Sequence, residues 1–151
     1  MQIQIGVIGA GTCGERIEKM AEEVGREIAK RDAFLLCGGR SGVMEAVARG
    51  AKMENGTTVG ILPGDCRLDA NPFIDIAILS NMGHARNAII AQSCDALIAI
   101  GGEYGTLSEI ALSLKMGKKV VTLGSKWEIE GTIKASDPVE AVELAMSDLR
   151  S

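Results

Sequence analysis

Short apolar runs alternating with amphipathic stretches set the rhythm of this chain. Ile3-Gln4-Ile5-Gly6-Val7-Ile8 reads as a buried strand, and beyond it Ile17, Met20, Ala21, Val24 and Ile28 fall at the mixed spacing of a helix face. The alternation continues through a strand from Phe34 to Cys37, a helix from Gly42 to Ala51, and strands from Thr58 to Leu62 and from Ile74 to Leu79. It then runs through a helix from Arg86 to Ser93, a strand from Ala96 to Ile100, a helix from Thr106 to Met116 and a strand from Lys119 to Leu123. Strands and helices in regular turn predict an α/β fold: a Rossmann-like, doubly wound parallel sheet in three αβα layers, because parallel strands need crossovers that cover both faces. Asp137-Pro138-Val139-Glu140 supplies a cap, a first-turn proline and a glutamate three residues after the cap, and so opens a last helix. Residues 63–72 and 125–130 carry neither period, and loops of that length beside a crevice often act as lids.

Composition narrows the picture. The 151 residues, 46% hydrophobic, suit a single Rossmann-like domain over 1–151 with one substantial core. Nineteen glycines against three prolines point to tight turns rather than extended linkers. A net charge of −4, with no basic run longer than pairs such as Lys118-Lys119, argues against a nucleic-acid groove. No apolar run approaches the roughly 20 residues of a membrane span and no signal segment is evident, so a cytoplasmic protein is expected. Cys13, Cys37, Cys66 and Cys94 are widely spaced and His84 is the only histidine, so no metal site is expected. Cys13, inside a glycine loop, is the one thiol placed for reactivity.

Three glycine-rich turns follow strands. Gly9-Ala10-Gly11-Thr12-Cys13-Gly14 has the form and context of a dinucleotide phosphate loop. The second strand, however, ends Cys37-Gly38-Gly39-Arg40 and offers no acid for ribose hydroxyls, which argues against NAD or FAD. The first loop therefore reads either as a phosphate contact or as a tight strand-to-helix turn. In the second turn Ser41 is a candidate helix cap, and Arg40 either meets an anion or is a solvated charge. The third turn, Gly101-Gly102-Glu103-Tyr104-Gly105-Thr106-Leu107-Ser108-Glu109, is the most specific, because free amides and the positive dipole end at its helix start favour an anion. Thr106 and Glu109 also match a capping box, which gives Glu109 a purely structural alternative.

These residues, with Met82-Gly83-His84-Ala85-Arg86-Asn87 upstream, resemble the LOG and molybdenum-cofactor-carrier superfamily over roughly residues 3–124. Its phosphoribohydrolase members carry P-G-G-x-G-T-x-x-E and an upstream arginine followed by lysine. Here the threonine, glutamate and arginine match, while Gly101 replaces the proline, Glu103 a glycine and Asn87 the lysine. Those departures resemble the carrier-like branch, and Glu103 would repel a phosphate unless its side chain points away. The lysine decarboxylase label borne by some members carries no weight, because no motif presents a lysine to pyridoxal phosphate.

In a doubly wound sheet the ligand lies outside the carboxyl ends of the strands, where strand order reverses. Gly9, Ala10, Gly11 and Thr12, then Gly38 and Gly39, then Asn81 to Arg86, and finally Gly102, Tyr104, Gly105 and Thr106 to Glu109 should converge there. The resemblance implies a phosphorylated ligand, either an AMP-like nucleotide or a pterin cofactor. In a nucleoside 5′-monophosphate phosphoribohydrolase, Glu109 would stabilise the developing oxocarbenium ion and Arg86 would hold phosphate or sugar, with no cofactor required. In the alternative, molybdenum cofactor or a nucleotide is carried without being turned over. Ala88-Ile89-Ile90-Ala91 and Ile110-Ala111-Leu112 exceed one narrow helical stripe, so a homodimer or a multiple of dimers is expected, as the family also implies.

Overall fold

The computed structural model describes residues 1–149. Its strands are β1 (Gln4–Gly9), β2 (Phe34–Cys37), β3 (Thr58–Leu62), β4 (Ile76–Leu79), β5 (Ala96–Ile100), β6 (Val120–Leu123) and β7 (Ile133–Ala135). They form one sheet in the order β4-β3-β2-β1-β5-β6-β7, and every neighbouring pair is parallel. The helices are α1 (Glu15–Lys30), α2 (Val43–Met53), α3 (Arg86–Ser93), α4 (Tyr104–Lys115) and α5 (Pro138–Met146). This is the Rossmann-like three-layer fold that the alternation predicts.

The strand period of two sorts the core into its layers. Ile98 and Ile100 of β5 join Ile5, Val7, Leu35 and Val121 under α1, α2 and α5. Leu97 and Ala99, one residue out of phase, join Ile8, Leu36, Ile61 and Val120 under Ile90 of α3 and Ile110 of α4. Leu97, Ile98 and Ile100 are fully buried, and each such aliphatic side chain contributes about 1.5–3 kcal/mol by leaving water. Interior positions of β5 are apolar on both faces because helices cover both.

Two glycines set the α1–α2 crossing. A Cβ on Gly25 would stand 1.9 Å from the Val47 carbonyl oxygen, and one on Gly50 would stand 1.9 Å from that of Glu22. Only hydrogens fit between these backbones, so the helices approach more closely than any pair of side chains would allow.

Several boundaries differ from the sequence reading. β1 runs Gln4–Gly9 and β4 starts at Ile76, because pairing with neighbours, not apolarity, ends a strand. β7 was not expected at all: Ile133-Lys134-Ala135 is too short for a pattern and exists by pairing with β6. α2 is capped at Gly42, not Ser41, whose hydroxyl instead donates to the Gly11 carbonyl at 2.8 Å. The last helix begins as read: the Asp137 carboxylate accepts from the Glu140 amide at 2.8 Å, and the Glu140 carboxylate accepts from the Ser136 amide at 2.8 Å.

Candidate ligand cleft

The reversal of strand order falls between β1 and β5, whose following helices leave to opposite faces of the sheet. A crevice opens there, as the winding requires. It has a volume of about 660 Å³, within the range of small-ligand sites. Gly9, Ala10, Gly11, Thr12 and Gly38 form one wall, Arg86 and its neighbours the floor, and Gly105, Thr106 and Glu109 the other wall. Met44, Ile90 and Leu112 supply apolar surface between them.

The first two turns brace each other. The Val43 amide donates to the Ala10 carbonyl at 3.1 Å, next to the Ser41–Gly11 bond. A side chain on Gly42 would strike Ala10 and Gly11 backbone, so glycine at this φ of 67° lets the turns touch.

Not every expected residue reaches the cleft. Gly102 opens onto an adjoining hollow of about 420 Å³ beside Cys13 and Ile17. Gly39 packs behind the wall against Leu62 and Gly60. Asn81, in a left-handed turn with φ of 53°, is exposed outside the cleft and donates its amide to the Gly64 carbonyl. Tyr104 is 76% exposed, its ring 5.6 Å from that of Trp127. The segment 63–72 is no lid: Asn71 ties it to the Gly39 and Arg40 carbonyls, and none of its residues lines the cleft. The other aperiodic segment, 125–130, does lie near the start of α4, with Trp127 against Tyr104 and Lys126 against Glu103, although nothing in the sequence pointed to these two pairings.

α4 begins at Tyr104, two residues earlier than expected. Glu103 occupies its cap position without a side-chain cap bond, and Thr106 lies within the first turn, buried against Gly102. The capping-box reading of Thr106 and Glu109 is therefore overturned. The first intrahelical bond of this helix runs from the Leu107 amide to the Glu103 carbonyl, which leaves the Tyr104, Gly105 and Thr106 amides at its positive end. α1 also starts nearby, but Glu15 and Glu18 already occupy its first turn, whereas the first turn of α4 holds no acid. An anion is therefore better received at α4. The Glu103 carboxylate faces Lys126 at 3.6 Å, and this exposed pair leaves little net charge beside the amides.

Arg86 is half-buried and largely engaged. Its Nη1 donates to the Gly38 and Ile61 carbonyls, each at 2.7 Å, and its Nε donates to Asn87 Oδ1 at 2.8 Å. Asn87 Nδ2 in turn donates to Glu109 Oε1 at 2.9 Å. Burial pushes the Glu109 carboxyl up to about 7, against the pull of the Arg86 cation. Cys13 is not an activated thiol: burial first, then Glu18, raises it. Among the described residues no cluster of three His, Cys, Asp or Glu side chains could hold a metal ion, and no helix is long and apolar enough to cross a membrane.

A family model described as LDcluster4, SLOG cluster4 family, matches residues 2–147. The chain belongs to the SLOG cluster4 family. This SLOG cluster4 protein is 51% identical to an uncharacterized protein of Archaeoglobus fulgidus over 96% of its own length and 95% of that protein's. It is 34% identical to a cytokinin riboside 5′-monophosphate phosphoribohydrolase of Rhodococcoides fascians, over 64% of this chain and only 50% of that enzyme. The molybdenum cofactor binding protein of Rippkaea orientalis superposes with a TM-score of 0.93 at 38% identity, covering 97% of each chain. The molybdenum cofactor carrier protein of Chlamydomonas reinhardtii does so with a TM-score of 0.90 at 36% identity, covering 97% of this chain and 98% of that one. The SLOG cluster4 chain thus has LOG phosphoribohydrolases among its more distant relatives and cofactor carriers among its structural neighbours.

Proposed function

We propose that this protein is a binding protein for a phosphorylated heterocycle, most simply a pterin cofactor of the molybdenum-cofactor type, which it holds in the cleft without turning it over. The observation that carries this reading is the state of Arg86. Two of its three nitrogens are engaged by two backbone carbonyls and Asn87, so it braces the cleft floor and keeps no two-nitrogen fork for phosphate. Phosphate recognition then falls to the Gly105 and Thr106 amides, and the apolar flank of Met44, Ile90 and Leu112 receives the rings. The near full-length likeness to cofactor carriers supports the same reading. Cargo of this kind would be held by its phosphate and rings.

A nucleoside 5′-monophosphate phosphoribohydrolase is the second reading, favoured by one observation: Arg86 and Glu109 share the cleft and are joined through Asn87. Glycosidic cleavage needs an ionised carboxylate beside the developing cation, and burial opposes that ionisation here. Two measurements on purified protein separate the readings. Mass spectrometry of copurified small molecules should find a stoichiometric pterin, and incubation with a nucleoside monophosphate panel should release no free base. Catalytic release of base and ribose 5-phosphate would overturn the carrier reading.

A further inference from the structure

The segment 125–130, aperiodic in the sequence, lies beside the start of α4 and is tied to it by two side-chain contacts. Lys126 Nζ lies 3.6 Å from Glu103 Oε2, and the Trp127 ring stands 5.6 Å from that of Tyr104. The segment's hydrogen bonds are local: Ser125 Oγ accepts from the Trp127 amide at 3.0 Å, and the Ile129 carbonyl accepts from the Thr132 hydroxyl at 2.7 Å. Gly124, at a φ of 66°, turns the chain out of β6 into it, and Ile129 anchors its far end against the core. Trp127 Nε1 is buried and, among the described residues, has no hydrogen-bond partner, so a shift that brings it an acceptor is favoured. Lys126 stands 5.3 Å from the centre of the Trp127 ring, its side chain 62% exposed and free to reorient.

Charge decides what this cation is for. A phosphate monoester carries about −1.5 to −2 near neutral pH, while the α4 dipole supplies only about half a positive charge. Glu103, which lines the cleft with Gly105 and Thr106, adds a full negative charge of its own. Of the basic side chains lining the cleft, Arg86 keeps one nitrogen, near Met44 Sδ at 4.0 Å, and His84 belongs to the turn before α3. Resting on the binding function above, we propose that Lys126 is the phosphate-binding cation of this cleft, held ready by Glu103 and turned onto the ligand's phosphate as it arrives. Its 3.6 Å separation from Glu103 is too long for a charge-assisted hydrogen bond, and an exposed pair of this kind is weakly held. A phosphate seated on the Gly105 and Thr106 amides therefore draws Lys126 more strongly than one carboxylate does, and the three protons of the ammonium can serve both. The cleft then selects a phosphate monoester over the same nucleoside or pterin without its phosphate.

The test is calorimetric titration with AMP and with adenosine at physiological ionic strength. It compares the wild type with Lys126→Met, Lys126→Arg, Glu103→Gln and the double variant Lys126→Met/Glu103→Gln. Lys115→Met, in the last turn of α4, controls for the loss of one charge. Lys126→Met should weaken AMP about tenfold and leave adenosine unchanged, and Lys126→Arg should restore most of the loss. The deciding comparison is made without the Glu103 carboxylate. If Lys126 only neutralised Glu103, removing it from Glu103→Gln would cost nothing. Contact with phosphate instead predicts a further loss of at least about fivefold, absent from Lys115→Met. Equal affinity for AMP and adenosine in the wild type, or a double variant that binds AMP as Glu103→Gln does, overturns the inference. Release of free base in the same samples would defeat the carrier reading alone, and the comparison is then made on KM. If AMP does not bind the wild type, the binding function fails and inorganic pyrophosphate becomes the probe, followed by Trp127 emission. A saturable change whose midpoint Lys126→Met shifts about tenfold upholds the inference. The same midpoint in both proteins, or no saturable change at millimolar concentration, overturns it.

Discussion

Replacing Arg86 by methionine keeps most of the side chain's length and apolar stem while removing the guanidinium. In the native structure Nη1 satisfies the Gly38 carbonyl at the end of β2 and the Ile61 carbonyl within β3, both at 2.7 Å. Both residues are buried, and hydrogen bonds from a charged donor contribute about 1.5–3 kcal/mol each. The cleft admits water, which can re-solvate one of the two carbonyls. The expected loss is therefore roughly 2–4 kcal/mol rather than the sum of both bonds. For a chain of this length that lowers Tm by roughly 5–15 °C. Arg86→Lys, whose ammonium can reach one carbonyl, should fall between. Thermal and urea unfolding followed by circular dichroism, with AMP titration alongside, measure the effect. A Tm within about 1 °C of wild type together with a large loss of AMP affinity would refute the bracing role and return Arg86 to the ligand.

Gly50→Ala should be among the most destabilising single-methyl additions, costing at least about 1–3 kcal/mol in urea unfolding, because its Cβ meets backbone at 1.9 Å and α1 must separate from α2. Glu109 has an ordinary value of 4.5 and about 7 in the fold, so the native state binds the extra proton between them. Its stabilising share is thus fully present below the lower value and lost as pH rises through the upper; Glu109→Gln should flatten that part of the stability profile, and an unchanged slope would count against the burial argument. Tyr104 lies against Trp127, the chain's single tryptophan, so fluorescence should report ligand arrival at the α4 turn from one site. Identical Trp127 emission with and without saturating ribose 5-phosphate would argue against an anion there. Ile76 and Ile78, 48% and 46% exposed, share a face with Val59 and Ile61 beside α3. Light scattering should give a dimer that Ile78→Lys weakens, and a wild-type monomer of 15.8 kDa at micromolar concentration would defeat that expectation.

The alternation of apolar runs and amphipathic stretches determined the parallel α/β fold, because each period can bury its apolar positions in only one way. Glycines between a strand and a helix likewise announced where a crevice would form. The β1–β5 reversal could only place it, since strand order is a property of pairing and not of any single segment. β7 lay beyond reach for the same reason: three residues become a strand only when β6 offers its edge. In the site, the sequence singled out Arg86 and Glu109 but not what they do. Thr106 and Glu109 fit a capping box by spacing, yet the helix starts at Tyr104 because the backbone enters it from Glu103, three residues before Thr106. Arg86 had the composition of a phosphate clamp. Packing engages two of its three nitrogens, because the carbonyls of Gly38 and Ile61, distant in sequence, and the Asn87 amide meet its guanidinium only once the chain has folded. The raised proton affinity of Glu109 is likewise a product of burial, opposed by the Arg86 cation, and burial exists only when the chain is folded.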